Sequence, residues 1–480
     1  MNRCLQSPNH LTYNDFSTLP CDTMARKDLL FLILGPLAGG ILLIGLMSNE
    51  VDQAIAITSA ITLWTGIWWV TEPIPIPVAS MLPLALFPTF SILTPAQVGE
   101  AYGSPLILLL MAGFILSQAM ESSGAHRRVA LNMVNFFGGV SSRRIVFGFM
   151  AAACILSMWI SNTATTLMLL PVALAVIERS PDPKLSIPLL LGIAYASSIG
   201  GIGTPIGTPP NLVFREVYAT QVGGEIAFLD WMLWGVPVVA VFVPLAAIWL
   251  TRNLSFQGKI ELPEVGRWSV AEKRVFAIFC LTALAWVTRT QPYGGWSGAL
   301  GVQGINDASI AMLAVIAMFS VPNGKDGRLL DWSAAANIPW GVLILFGGGI
   351  AIAKAFVATG LSGLLGEWLS ALATLELILV ILSICISITF LTEITSNTAT
   401  TTLMLPVLAA AAFAADIPPE LLMVPAAMSA SCAFMLPVAT APNTIVFSTG
   451  RFPIKTMVRE GFVLNLVGAA VITTLCVWLI

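Results

Sequence analysis

Of the 480 residues, 57% are hydrophobic and 10% are charged, where a water-facing surface calls for roughly a quarter charged. The 22 basic and 25 acidic residues leave a net charge of -3, too even a balance to mark a nucleic-acid partner. This composition excludes a soluble enzyme, a nucleic-acid binder and a disulfide scaffold, and leaves an all-α polytopic membrane protein.

The chain opens on a polar tail, residues 1–27, without the apolar core of a signal peptide. The tail is expected to be cytoplasmic, with translation starting at Met1 or at Met24. An apolar run of about 20 residues crosses a bilayer, whereas shorter runs suggest broken or re-entrant segments. Residues 28–53 supply the first transmembrane helix, followed by apolar runs at 54–70, 78–90 and 104–120. The next two, 145–159 and 164–177, are too short to span alone and predict a helical hairpin near 145–178. A helix interrupted by Gly and Pro is expected over 186–217, then a span at 229–250 and a charged cytoplasmic linker at 251–274. Runs at 275–288, 308–321 and 338–358 precede a second short pair, which predicts a hairpin near 377–415. A second broken helix over 420–450 and a last span at 461–480 complete about eleven crossings.

Basic residues orient these spans, because cytoplasmic loops are enriched in Lys and Arg. With a cytoplasmic amino terminus, every basic residue except Arg215, Arg289 and Lys354 falls in the tail or in segments 121–144, 178–184, 251–274, 322–332 and 451–460, all inside. The carboxyl terminus then lies outside, and a plasma membrane, the inner membrane of a bacterium, is the expected location. Lys354 is expected to snorkel, and Glu72 to sit in a turn or kinked helix start at the cytoplasmic face. His10 and His126 lie in polar stretches and read as solvated loop histidines. Cys4, Cys21, Cys154, Cys280, Cys385, Cys432 and Cys476 show no metal or redox spacing and read mostly as small apolar helix residues.

Ser161-Asn162-Thr163-Ala164-Thr165-Thr166 recurs letter for letter as Ser396-Asn397-Thr398-Ala399-Thr400-Thr401, each followed by a proline, Pro171 or Pro406. Residues 106–124 resemble 342–360, and Thr208-Pro209-Pro210-Asn211 resembles Thr440-Ala441-Pro442-Asn443, at nearly the same offset. An odd number of crossings separates equivalent points, so residues 54–250 and 275–480 read as inverted-topology repeats. Inverted repeats with interrupted helices are the architecture of secondary transporters, whose sites lie near the midplane.

Ser, Asn and Thr are preferred where helices start, so each SNT triplet has an ordinary reading as an N-cap. Two opposed copies inside broken helix pairs favour a binding site instead. Such tips offer positive half-helix ends, backbone N–H groups, the amides of Asn162 and Asn397, and the hydroxyls of Thr163 and Thr398, all anion-binding elements. A donor set on each side suits a small dicarboxylate. No Arg, Lys or His lies within either motif, so a dianion needs cations brought along with it. Oxygen ligands for sodium are at hand in Ser157, Ser161 and Asn162, and in Thr392, Ser396 and Asn397. The breaks add free carbonyls, and counting back from Asn211 and Asn443 pairs Gly207 with Ala439 and Thr208 with Thr440. Kinked packing helices are the competing reading of these stretches. For Glu393, three residues before Ser396, orienting the hairpin, adding negative field for a cation and a structural hydrogen-bonded role all stay open.

The paired SNT motifs, the segment Thr71-Glu72-Pro73-Ile74-Pro75-Ile76-Pro77-Val78 and the two breaks resemble the divalent anion:sodium symporter family, the INDY-like dicarboxylate transporters. The resemblance runs over nearly the whole chain after Met24. It implies about eleven helices with two opposed hairpins, a homodimer built on a scaffold domain, and elevator movement of a transport domain. It also implies substrate contacts at Asn162, Thr163, Asn397, Thr398 and Thr440, with Thr208 as the counterpart of Thr440. One sodium site falls among Ser157, Ser161, Asn162, Gly203 and Gly207, and a second among Thr392, Thr395, Ser396, Asn397 and Ala439. The expected activity is sodium-coupled symport of succinate, malate or fumarate, with sodium-independent exchange and citrate or sulfate carriage as rivals. The expected partners are substrate, sodium ions, lipid and a second copy of the chain, with no enzymatic chemistry and no nucleic acid.

Overall fold

The computed structural model describes residues 26–137, 141–258, 266–291, 294–302, 304–369 and 376–480. Most of the tail, with Cys4, His10, Cys21 and Met24, and the middle of the 251–274 linker lie outside the described residues. Among the described residues every regular element is a helix, and only isolated bridges pair Ser141 with Gln257 and Pro322 with Arg328.

The first half runs α1 (Arg26–Ser48), α2 (Gln53–Thr71), α3 (Ile76–Ala79), α4 (Leu82–Thr89), α5 (Pro95–Tyr102), α6 (Pro105–Ser123), α7 (Ala125–Phe137), α8 (Ser142–Ser157), α9 (Asn162–Arg179), α10 (Ser186–Gly200), α11 (Pro209–Gln221) and α12 (Phe228–Thr251). The second runs α13 (Val270–Val287), α14 (Gly295–Ala299), α15 (Asp307–Ser320), α16 (Trp332–Ala335), α17 (Trp340–Thr359), α18 (Leu361–Leu369), α19 (Leu377–Leu391), α20 (Asn397–Ala414), α21 (Pro419–Ser429), α22 (Ala441–Phe447) and α23 (Ile454–Leu479). Among the described residues, eight stretches are long and apolar enough to cross a bilayer, and the apolar helices Ile76–Thr89, Asp307–Ser320 and Leu377–Leu391 are shorter. The chain is an integral membrane protein.

Local chemistry repeats along with the helices. α6 and α17 both end on a glycine in the left-handed region, Gly124 at φ 77° and Gly360 at φ 78°, where a residue with a β-carbon is strained. Both then turn directly into a short amphipathic helix, α7 or α18. The two long helices also exchange halves. α6 packs on α13, α15 and α16, while α17 packs on α2, α3, α4 and α5.

The other helices build an inner body around α10 and α21. Every residue of 189–200 and of 422–429 is buried, as expected of helices that are small and apolar on all sides. α8, α9 and α12 pack on α10; α19, α20 and α23 pack on α21. α11 then crosses to lie on α20 and α21, and α22 crosses to lie on α9 and α10.

One expectation differs from the structure. His126 is buried on α7, its Nδ1 2.8 Å from the Met120 carbonyl, because the amphipathic face of α7 turns it inward. Lys354 reaches the exposed Glu100 of α5, with Nζ 3.3 Å from its carboxylate. Cys280 is exposed, whereas Cys154, Cys385, Cys432 and Cys476 are buried.

Candidate binding site

Asn162 and Asn397 open the second arm of each hairpin. One turn behind them, Ser157 Oγ donates to Asn162 Oδ1 at 2.5 Å, and Thr392 Oγ1 donates to Asn397 Oδ1 at 2.6 Å. The backbone carbonyls of the same asparagines accept from Thr166 and Thr401 at 2.8 and 2.7 Å. The amide oxygens are thus held from behind, and each amide N–H₂ is left to the cavity that both asparagines line. Ser161 Oγ accepts from the Ala164 N–H at a long 3.5 Å, and Ser396 Oγ makes no capping bond. N-capping therefore occupies one copy of the motif, loosely. Thr395 Oγ1 donates to the Leu391 carbonyl at 2.8 Å and lies 2.6 Å from Thr400 Oγ1.

Asn211 and Asn443, which the sequence showed only as repeated letters, organise the two breaks. Both are fully buried. Each Nδ2 donates to carbonyls ten and seven residues back: Gly201 and Thr204 at 2.9 and 2.7 Å, and Ala433 and Leu436 at 3.0 and 3.0 Å. These amides stand in for the helical N–H groups that the breaks withdraw.

The breaks are closed by different means. In the first, glycines let the backbone cross itself: a β-carbon on Gly207 would collide with the Gly201 carbonyl, and one on Gly201 would come 3.0 Å from Asn162 Oδ1. Gly201 thus lies beside Asn162, and Gly203 packs on the Met158 side chain. Thr204 Oγ1 fastens the loop by donating to the Met158 carbonyl. In the second break Ala433 and Ala439 hold the matching places, and a carboxylate does the fastening. Glu393, 3% exposed, accepts from the N–H groups of Phe434, Met435 and Leu436 at 2.7, 2.8 and 3.0 Å, and from Asn465 Nδ2 of α23 at 2.7 Å. Of the readings the sequence left open, the geometry shows the hydrogen-bonded one, because each carboxylate oxygen accepts at least one of these donors.

Both tips and both breaks meet on one cavity of about 700 Å³. Asn162, Thr163, Thr208, Asn397, Thr398 and Thr440 line it, as do Ser161, Gly207, Thr395, Ser396 and Ala439. Ser157, Thr392 and Gly203 stand behind this wall. Leu110, Gly113, Phe114 and Ser117 of α6 and Val342 of α17 form the opposite side. Among the described residues no Lys, Arg or His lines the cavity; its ionisable members there are Glu72 and the occupied Glu393. An anion here would meet hydroxyls, amides and the positive amino-terminal ends of α9, α11 and α20. The two breaks are not equally covered. Ile206 packs against Gly113 of α6, while Val438, its counterpart five residues before the buried asparagine, is 81% exposed.

The solved Alcanivorax borkumensis YdaH transporter superposes with a TM-score of 0.58 at 19% identity, covering 81% of this chain and 87% of that one. Neisseria gonorrhoeae MtrF, described as illuminating a class of antimetabolite efflux pumps, gives a TM-score of 0.59 at 14% identity, covering 82% and 84%. These establish likeness of fold. The sodium-dependent dicarboxylate transporter SdcS of Staphylococcus saprophyticus is 41% identical over 475 residues, 94% of this chain and 91% of the relative. SdcS of Staphylococcus aureus is 41% identical over 470 residues, 92% and 89%. The profile of the citrate transporter family, CitMHS, matches residues 66–423. The chain is a transport protein that belongs to the citrate transporter family and to the divalent anion:sodium symporters its motifs resemble.

Proposed function

We propose that this chain is a sodium-coupled symporter importing a C4-dicarboxylate such as succinate, malate or fumarate across a bacterial plasma membrane. The observation that carries this reading is a cavity with two matched sets of neutral donors and, among the described residues, no basic side chain. A dianion in such a place is destabilised by several kcal/mol unless counter-charge accompanies it. Asn162, Thr163 and Thr208 receive one carboxylate, and Asn397, Thr398 and Thr440 the other. Ser157, Ser161 and Asn162 with the carbonyls of Gly203 and Gly207 hold one sodium ion; Thr392, Thr395, Ser396, Asn397 and Ala439 hold the second. The Ser157 and Thr392 bonds use one lone pair of each asparagine oxygen and leave the other for a cation.

The body of α8–α12 and α19–α23 moves as an elevator against a scaffold containing α6, α13, α15 and α17, through which two copies dimerise. With the amino terminus cytoplasmic and the carboxyl terminus outside, the covered Ile206 and open Val438 correspond to an inward-open state. Purified protein in liposomes tests the function: an inward sodium gradient is expected to drive uptake of labelled succinate into empty vesicles. Uptake only into vesicles preloaded with dicarboxylate would establish exchange instead, and competition by citrate or sulfate at equal concentration would reassign the substrate.

The first break makes a separate prediction. Gly207→Ala is expected to abolish this uptake, since the new β-carbon meets backbone that has no space to move, and Gly201→Ala to reduce it strongly. Gly99→Ala, where a β-carbon meets nothing within 4 Å, is expected to transport normally in the same assay.

A further inference from the structure

Outside the cavity, a cluster of buried charges gathers where α11 meets α6, α13 and α15. α11 starts at the cavity and carries Arg215 and Glu216, which are 3% and 8% exposed. Arg215 Nη2 lies 2.8 Å from Asp307 Oδ2 in the first turn of α15. Arg289, just past α13, holds the other oxygen of Asp307 through Nε at 2.8 Å and reaches Glu225 through Nη2 at 2.5 Å. Glu216 accepts from Ser104 Oγ, the N-cap of α6, at 3.2 Å. Two adjacent residues of one mobile helix are thus bound to two fixed helices.

The partners are unevenly committed. Asp307 keeps Arg289 if Arg215 withdraws, so parting leaves Asp307 paired. Among the described residues Arg215 has only Asp307 close by, with Glu225 at 3.9 Å, and its Nε and Nη1 are buried with no hydrogen-bond partner there. A cavity of about 260 Å³ adjoins it, lined by Arg215, Glu216 and Asp307. Buried ion pairs add little net stability, because desolvation offsets attraction; a charge that alternates between a buried partner and water suits a contact that opens. The matching helix of the other repeat, α22, reads APNTIVF and carries no charge.

We propose that Arg215 and Glu216 are positioning residues of the transport cycle, forming with Asp307 and Ser104 an outer latch that holds the site inward-open and parts before it opens outward. This rests on the elevator reading above. Cysteines placed singly at Ile206 and Val438 report the two faces without any need for substrate. A polar maleimide is expected to modify V438C fast and I206C slowly in purified protein, each measured over the background of the parent's own cysteines. Arg215→Gln is expected to shift the ratio of the two rates about tenfold toward I206C by moving the population outward. Glu216→Gln should act in the same direction, more weakly, and Arg215→Lys, which keeps the charge, should retain the parental ratio. General loosening would speed both reporters; that result, or an unchanged ratio in Arg215→Gln, overturns the latch. Equal rates at both reporters in the parent overturn the elevator reading and the latch together. Absence of sodium-driven uptake beside a shifted ratio removes the substrate assignment alone.

Discussion

Replacing Asn162 or Asn397 by Ala is expected to lower sodium-driven uptake by at least about a hundredfold while the protein still purifies as a folded species. Each side chain serves two ligands at once. Its N–H₂ faces the cavity, and its oxygen, already accepting from Ser157 or Thr392, retains a lone pair for a cation. A hydrogen bond to a charged group contributes roughly 1.5–3 kcal/mol. Losing an anion donor and a cation ligand together therefore exceeds the roughly 2.7 kcal/mol that a hundredfold change represents. The folding cost is limited to one group: Asn162→Ala leaves the buried Ser157 hydroxyl without its acceptor, at about 1–3 kcal/mol, whereas Thr392 Oγ1 keeps the Ala430 carbonyl at 3.1 Å in Asn397→Ala. The aspartate variants separate the two roles: Asn162→Asp keeps the oxygen and adds charge, so half-saturating sodium should fall while the substrate affinity worsens. Near-normal uptake by either alanine variant would reject the site.

Glu393→Ala is expected to be the most destabilising single change in the inner body. Three backbone N–H groups and the Asn465 amide would lose their acceptor in a buried place, at about 1–3 kcal/mol for each unsatisfied group. The sum is several kcal/mol, enough for a markedly lower denaturation temperature and no uptake. Glu393→Gln should fall between, since its new N–H₂ points a donor at donors. If Glu393 instead served chiefly as negative field for sodium, Glu393→Gln would fold normally and simply require more sodium. Tryptophan fluorescence on heating, together with the half-saturating sodium concentration, tells these apart.

Much of this arrangement was legible in the residues because its signals are local. Short apolar arms around a polar triplet, a proline-glycine break and a letter-for-letter repeat each occupy a dozen residues or so, and the arms of both hairpins begin and end within a few residues of those expectations, while α23 starts earlier, at Ile454, and α5, α7 and α18 were not expected. Residues whose partners lie far along the chain were not legible. Glu393 announced that a buried acid needs donors, but not that they lie about forty residues ahead in the second break. Arg215 stood out only as an exception to the inside placement of basic residues; its partner Asp307 is 92 residues away. Gly201 was hidden among five glycines of one stretch, where only the crossing of backbone over backbone singles it out. His126 misled because a polar stretch can still form a helix with an inward face.

The exchange of α6 and α17 between halves bears on how the protein is made. When synthesis has reached Thr251, α6 has been inserted without α13, α15 and α16, and the groove of α2–α5 lacks α17. Neither half contains the main partners of its own long helix, despite the repeated pattern of the two. A nascent first half is therefore expected to remain an unfinished assembly in the bilayer until the second half arrives. Fragments cut between Thr251 and Val270 would each be degraded when expressed alone, and would survive only when produced together.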